Sequence, residues 1–214
     1  METKSRQDRM NRKSFTALNI LALAGWVTAS SVAHAQTAPS DFKAEPDKSL
    51  AAARESFVKG DMKKAGDQVQ KAATYVGKES DKVAADSKVG VQQAGAELDK
   101  LGAGIKTGTV KSGDDIKKCA ASTDHALAKA WHQTAEEAKK SGKDSTAALK
   151  KAGAALDGAS KWSGHQLSEG AKASVDAVNK AGKGVAKGAK ASADEVDKWF
   201  KGIGGGIDDL GRKL

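Results

Sequence analysis

The chain has 214 residues, a net charge of +9, 29% charged and only 4% aromatic residues, and a single cysteine. One cysteine excludes an internal disulfide framework, and no Cys-x-x-Cys spacing exists for a zinc site. Pro39 and Pro46 are the only prolines; with no alternating β-branched run after them and an excess of Ala, Lys, Gln and Glu, the composition excludes a β-built domain and predicts an all-α chain.

Residues 1–35 read as a cleavable export signal. Lys4, Arg6, Arg9, Arg12 and Lys13 form a basic start, Phe15 to Val32 an apolar core, and Ala33-His34-Ala35 a small-x-small cleavage site. The segment fits the general secretion route better than twin-arginine export, since Lys13 stands where a second arginine is required. The expected location is therefore periplasmic or secreted. Removal leaves 179 residues with 31 basic and 25 acidic side chains. Leu, Ile, Val and Phe make up about 15% of them, a range in which stable cores become hard to build.

Residues 36–46 read as a disordered leader. From 47 to 104 a heptad-like helical region follows, with large apolar residues at Met62, Val69, Val76 and Val83, then, after one slip, Val91, Leu98 and Ile105. The companion positions are small: Gly66, Ala73 and Ser80. Gly102, Gly104, Gly108 and Gly113 predict a break, and Ser112 a helix N-cap before Ile116. Further breaks are expected at residues 141–145 and 202–206, the latter leaving residues 204–214 as a short amphipathic tail.

Residues 105–203 form nine consecutive blocks of eleven, opening at Ile105, Ile116, Leu127, Ala138, Leu149, Ser160, Ala171, Gly182 and Ala193. Eleven residues span about three turns, so each block position keeps its helical face over long amphipathic helices. Block positions 1, 4, 5 and 8 gather into one apolar stripe. Ile105, Ile116, Leu127 and Leu149 occupy position 1; Leu156, Leu167, Val178 and Phe200 occupy position 8; Trp131 and Val175 fall at position 5. The second position is lysine in seven of nine blocks, including Lys139, Lys150, Lys161, Lys172 and Lys183. On the stripe's boundary a lysine lays its methylenes along apolar surface and reaches outward with its ammonium. The region holds eleven glycines, each costing about 1 kcal/mol inside a helix relative to alanine. These helices are thus expected to be loosely packed or partly disordered in isolation.

Residues 139–190 carry eleven lysines against four acids, which favours an anionic membrane surface. Nucleic acid is not expected as a partner: only Arg54 and Arg212 are arginines beyond the signal, and base readout favours arginine. Trp131, Leu149, Leu156, Leu167, Val178, Trp199, Phe200, Ile203, Ile207 and Leu210 are the candidate membrane or partner contacts, and Lys139, Lys150, Lys161, Lys172 and Lys183 the candidate anionic-surface contacts. Trp199 and Phe200 suit a membrane interface, with Trp199 expected to be exposed in the free protein. His125 and His132 read as solvated side chains, about 10 Å apart along one helix and too far to share a metal ion. Cys119 reads as a quiet thiol on the stripe or a route to an intermolecular disulfide and oligomers. The adjacent carboxylates Asp114-Asp115, Glu136-Glu137 and Asp208-Asp209 point about 100° apart and form no acid–base pair. No catalytic, cofactor or metal set emerges, so the chain reads as non-enzymatic.

The block Thr134-Ala135-Glu136-Glu137-Ala138-Lys139-Lys140-Ser141-Gly142-Lys143-Asp144 resembles the eleven-residue unit of group 3 late embryogenesis abundant proteins, and the period is similar to that of exchangeable apolipoproteins. That resemblance implies a chain that is disordered when hydrated, becomes helical on drying or on lipid, and protects membranes or proteins. Higher Gly and Asp and lower Glu set this chain apart. Two functions follow: a membrane- or protein-protective amphipathic protein, or a structural helical-bundle or coiled-coil interaction protein of the periplasm.

Overall fold

The structure, a computed structural model, describes residues 44–185 and 191–214, apart from the side chains of residues 182–185. The expected signal and most of the expected leader lie outside these residues. Among the described residues there are seven α-helices and no strand: α1 (Asp47–Val58), α2 (Met62–Ser80), α3 (Ala85–Lys106), α4 (Gly113–Lys140), α5 (Thr146–Ser163), α6 (Glu169–Val185) and α7 (Ala193–Gly211). The chain is all-α.

Local chemistry sets most boundaries. The Asp61 side chain accepts from the Lys64 amide at 3.0 Å and starts α2. Ser112 accepts from the Asp114 amide at 3.1 Å and starts α4 as anticipated. Ser192 and Glu195 form a reciprocal capping box at the start of α7. Gly142 and Gly164 take left-handed φ of 67° and 75° just past α4 and α5, a conformation that costs glycine nothing.

The helices pack as antiparallel hairpins. In the α2–α3 pair Val69 and Val76 meet the row Val91, Leu98 and Ile105, all fully buried. The one-residue slip in the heptad pattern falls at the turn between these helices. Small companions let the backbones approach: a Cβ on Gly66 would lie 2.7 Å from the Gly102 carbonyl. The α2–α3 turn is tied to α4, where Thr134 Oγ1 accepts from the Ala84 amide at 2.8 Å. Helix α4 packs on α1, α3, α5 and α7, while α5 also meets α6 and α7. One hydrophobic core runs through the unit, from Leu50 in α1 to Leu210 in α7.

The eleven-residue blocks are divided among helices, with the expected break at residues 141–145 separating α4 from α5, and α4 to α7 fold on one another. One expectation is corrected: the chain does not break at residues 202–206, since α7 runs through them to Gly211. Packing overrides propensity there. Gly202 faces Ser174, and a Cβ on Gly206 would lie 2.7 Å from Ala171 Cβ and 2.8 Å from Leu156 Cδ2. The glycines that weaken an isolated helix are the ones that let α7 dock against α5 and α6.

Candidate functional site

The stripe residues are inside the bundle. Leu149, Leu156, Val178 and Ile203 have no exposed surface, and Trp131, Ile207 and Leu210 are also buried. Leu167 and Phe200 are half-buried against the same core. Trp199 was expected on the outside; it is only 7% exposed, because α7 turns that face onto its neighbours. These side chains contact other helices of the same chain.

The lysine row is divided among helices. Lys139 on α4 pairs with Asp197 of α7, and its ammonium lies 5.2 Å from the Phe200 ring centroid. Lys161 bridges to Asp157 at 2.7 Å along α5. Lys150 on α5 and Lys172 on α6 are exposed, and Lys183 lies outside the described side chains. Part of the row therefore latches helices together, and part faces solvent.

His125 and His132 are not free solvated rings. His125 Nε2 lies 2.9 Å from the Ile207 carbonyl oxygen and His132 Nε2 lies 3.1 Å from that of Phe200. The seven-residue spacing matches two carbonyls seven apart on antiparallel α7. Gly204 and Gly211 face the same rings, leaving the carbonyls open where a side chain would crowd them. Cys119 is half-buried, and burial, the largest cause, with Glu97 nearby pushes its thiol up to about 11. It stands as a neutral thiol at neutral pH, consistent with a quiet position on the stripe.

Among the described residues a pair of carboxyls on α1 and α4 meets inside the bundle, and the sequence did not reveal it. Asp124 on α4 is 1% exposed, and neither of its carboxyl oxygens has a hydrogen-bond donor. It faces Asp47 at the start of α1, whose carboxylate accepts from Trp162 Nε1–H at 2.6 Å. Burial, then the nearby Asp47 charge, drives the Asp124 pKa well above 3.8, and burial also raises that of Asp47. Two carboxyls so placed share a proton, with Asp124 as its holder and Asp47 as acceptor. Gly158 on α5 makes the space: a Cβ there would lie 2.9 Å from Asp47 Oδ2 and closer still to Asp124.

The pair borders a cavity of about 390 Å³ between the α1 entry turn, α2, α4 and α5. Tyr75, Leu127 and Trp131 form apolar walls, and exposed Lys151 and Ala154 stand at its edge. The Lys151 ammonium sits 3.9 Å from the Trp131 ring centroid and 3.0 Å from Glu79. Glu79 is 3% exposed; burial works to raise its pKa, but hydrogen bonds from Lys82 and Lys151 outweigh it and hold the group below its ordinary value. Among the described residues no three His, Cys, Asp or Glu side chains form a metal-holding group.

One signal for Asp124 was present. Ala120, Asp124, Leu127, Trp131 and Ala135 follow stripe spacing on α4 and all are buried, so an aspartate occupies an apolar register. Its partner Asp47 is 77 positions away in sequence, and no local pattern joins the two.

No protein-family model, no curated protein and no solved structure matches this chain. Among the described residues no helix is long and apolar enough to cross a membrane.

Proposed function

We propose that this chain is an exported, non-enzymatic helical-bundle interaction protein that is folded before it meets its partner. It binds anionic surfaces through exterior lysines while its apolar stripe holds the bundle together. The burial of the stripe supports this reading. Leu149, Leu156, Val178 and Ile203 have no surface left to offer a membrane, whereas Lys140, Lys143, Lys150, Lys172 and Lys180 are exposed. A rigid body with exposed lysines is attracted by charge and needs no folding step. Each lysine near an anionic membrane contributes about 1 kcal/mol at low salt, and the attraction falls as salt shortens the screening length.

Circular dichroism and vesicle sedimentation test this. The protein in plain buffer should be strongly helical with a cooperative melt. It should bind anionic vesicles at low salt without gaining helix and release as salt rises. Changing those five lysines to Gln should abolish the binding and leave the melt in place. Weak helicity that rises on vesicles would instead establish folding on the membrane. A cooperative bundle that ignores anionic vesicles would remove the membrane from the proposal.

A further inference from the structure

We infer that the proton held between Asp124 and Asp47 is a latch on α1, so that rising pH frees the start of this helix from α4 and α5 while the rest of the bundle stays closed. The latch does not involve the exterior lysines.

Geometry makes the proton necessary. Asp124, 1% exposed on α4, bonds the carboxyl of Asp47, the first residue of α1, across the helix junction. An ionised carboxyl only accepts hydrogen bonds, so two carboxyls bond each other only when one is protonated. Gly158 on α5 faces both groups, which places the pair where α1, α4 and α5 converge. Asp47 accepts the Trp162 indole N–H at 2.6 Å, and its place in the first turn of α1 favours a carboxylate. Asp47 is therefore the ionised member and Asp124 the holder of the proton. Loss of that proton leaves two like charges facing each other inside the bundle.

The surrounding charges do not offset this repulsion. From α5, Asp157 adds a further negative group, and Lys161, which attracts Asp47, is bridged to Asp157 at 2.7 Å. From α2, Glu79 is held by Lys82 and Lys151, and Tyr75 brings no positive charge. Glu45 of the entry turn is matched by Lys71.

Helix α1 is the element able to yield. Its buried face is Ser49, Leu50, Ala51, Ala53 and Ser56, with Leu50 the one large side chain among them, and Pro46 starts the helix without a side-chain cap. Few large apolar contacts put a segment at the low end of local stability. Asp47 is half-buried and lines the cavity, so solvent reaches the pair from that side. Between the ordinary aspartate value and the raised value of Asp124, the seated helix binds one more proton than the released one, so opening grows with pH in that window. Acid does not open the latch, since two protonated carboxyls still donate and accept.

Hydrogen–deuterium exchange of the protein over a pH series, corrected for the intrinsic exchange rate, tests this. Residues 47–58 should lose protection by up to about tenfold per pH unit in that window, the slope of one linked proton, while residues 85–106 keep theirs. Asp124→Asn replaces the titrating O–H with an amide N–H that donates to Asp47 at every pH, so its α1 protection should not vary with pH. The infrared band of a protonated carboxyl in the parent should vanish over the same window, a reading that needs no variant. Protection of residues 47–58 that ignores pH in the parent, equal loss in residues 47–58 and 85–106, the same pH response in Asp124→Asn, or absence of the protonated-carboxyl band would each overturn the latch.

Discussion

The His132 ring bonds the Phe200 carbonyl oxygen of α7 at 3.1 Å and meets the Phe200 ring edge-on, with centroids 5.4 Å apart. A mid-helix carbonyl already accepts from the amide four residues on, so the imidazole uses its second lone pair. His125 repeats the arrangement one heptad away at Ile207. Both rings hold α7 against α4 at points where α7 carries glycine.

His125→Ala and His132→Ala should therefore each loosen α7. A part-buried hydrogen bond contributes about 1 kcal/mol net, with more lost at His132 through the ring contact. The denaturant midpoint should drop, and quencher access to Trp199 should rise in a variant whose other tryptophans are Phe. Unchanged midpoints in both variants would show that the two bonds do not hold the helix.

Leu156 has no exposed surface and fills the junction with Gly206 of α7. Leu156→Ala should destabilise the protein by about 2–5 kcal/mol through lost transfer energy and the cavity left behind. Val89 is 60% exposed on α3, and Val89→Ala should stay within about 0.5 kcal/mol of the parent. Equal effects from the two substitutions would contradict the packing of the stripe.

Asp124 sets a pH dependence of unusual sign. Its folded pKa lies above the ordinary aspartate value, because burial and the Asp47 charge disfavour ionisation. The folded state then binds more protons than the unfolded state, so this group's contribution weakens as pH rises from the ordinary aspartate value through the raised one. Carboxylates with lowered values, such as Glu79 and Asp67, act oppositely and lose their contribution as pH falls. Subtracting Asp124→Asn from the parent isolates the first effect. The variant's relative stability should climb with pH and level off once Asp124 in the parent is ionised. A flat difference across that window would assign Asp124 an ordinary pKa.

Cys119 should be slow toward thiol reagents near pH 8, since a thiol at about 11 supplies little thiolate. Unfolding should restore the ordinary rate. Rapid labelling of the native protein, or a dimer band on a non-reducing gel after brief air exposure, would place this thiol at the surface.

Much of this fold was legible without coordinates. Residues 47–214 contain no proline and strong helix formers, so helix was the only economical backbone. Serines and glycines at 112 and 142 act locally, and a local signal determines a local boundary. The heptad row from Val69 to Ile105 names its own buried face because period alone assigns a face. What covers a face is a different matter. An apolar stripe is equally satisfied by lipid, by another chain or by its own neighbours, and tertiary packing chose the neighbours. The same packing carried α7 through Gly204-Gly205-Gly206, where propensity argued for a break, because a missing Cβ is a cost in water and an advantage between helices. It also joined Asp124 to Asp47. An aspartate in an apolar register was visible in the chain, but the carboxyl that shares its proton lies on a helix whose proximity exists only once α1, α4 and α5 have closed around Gly158.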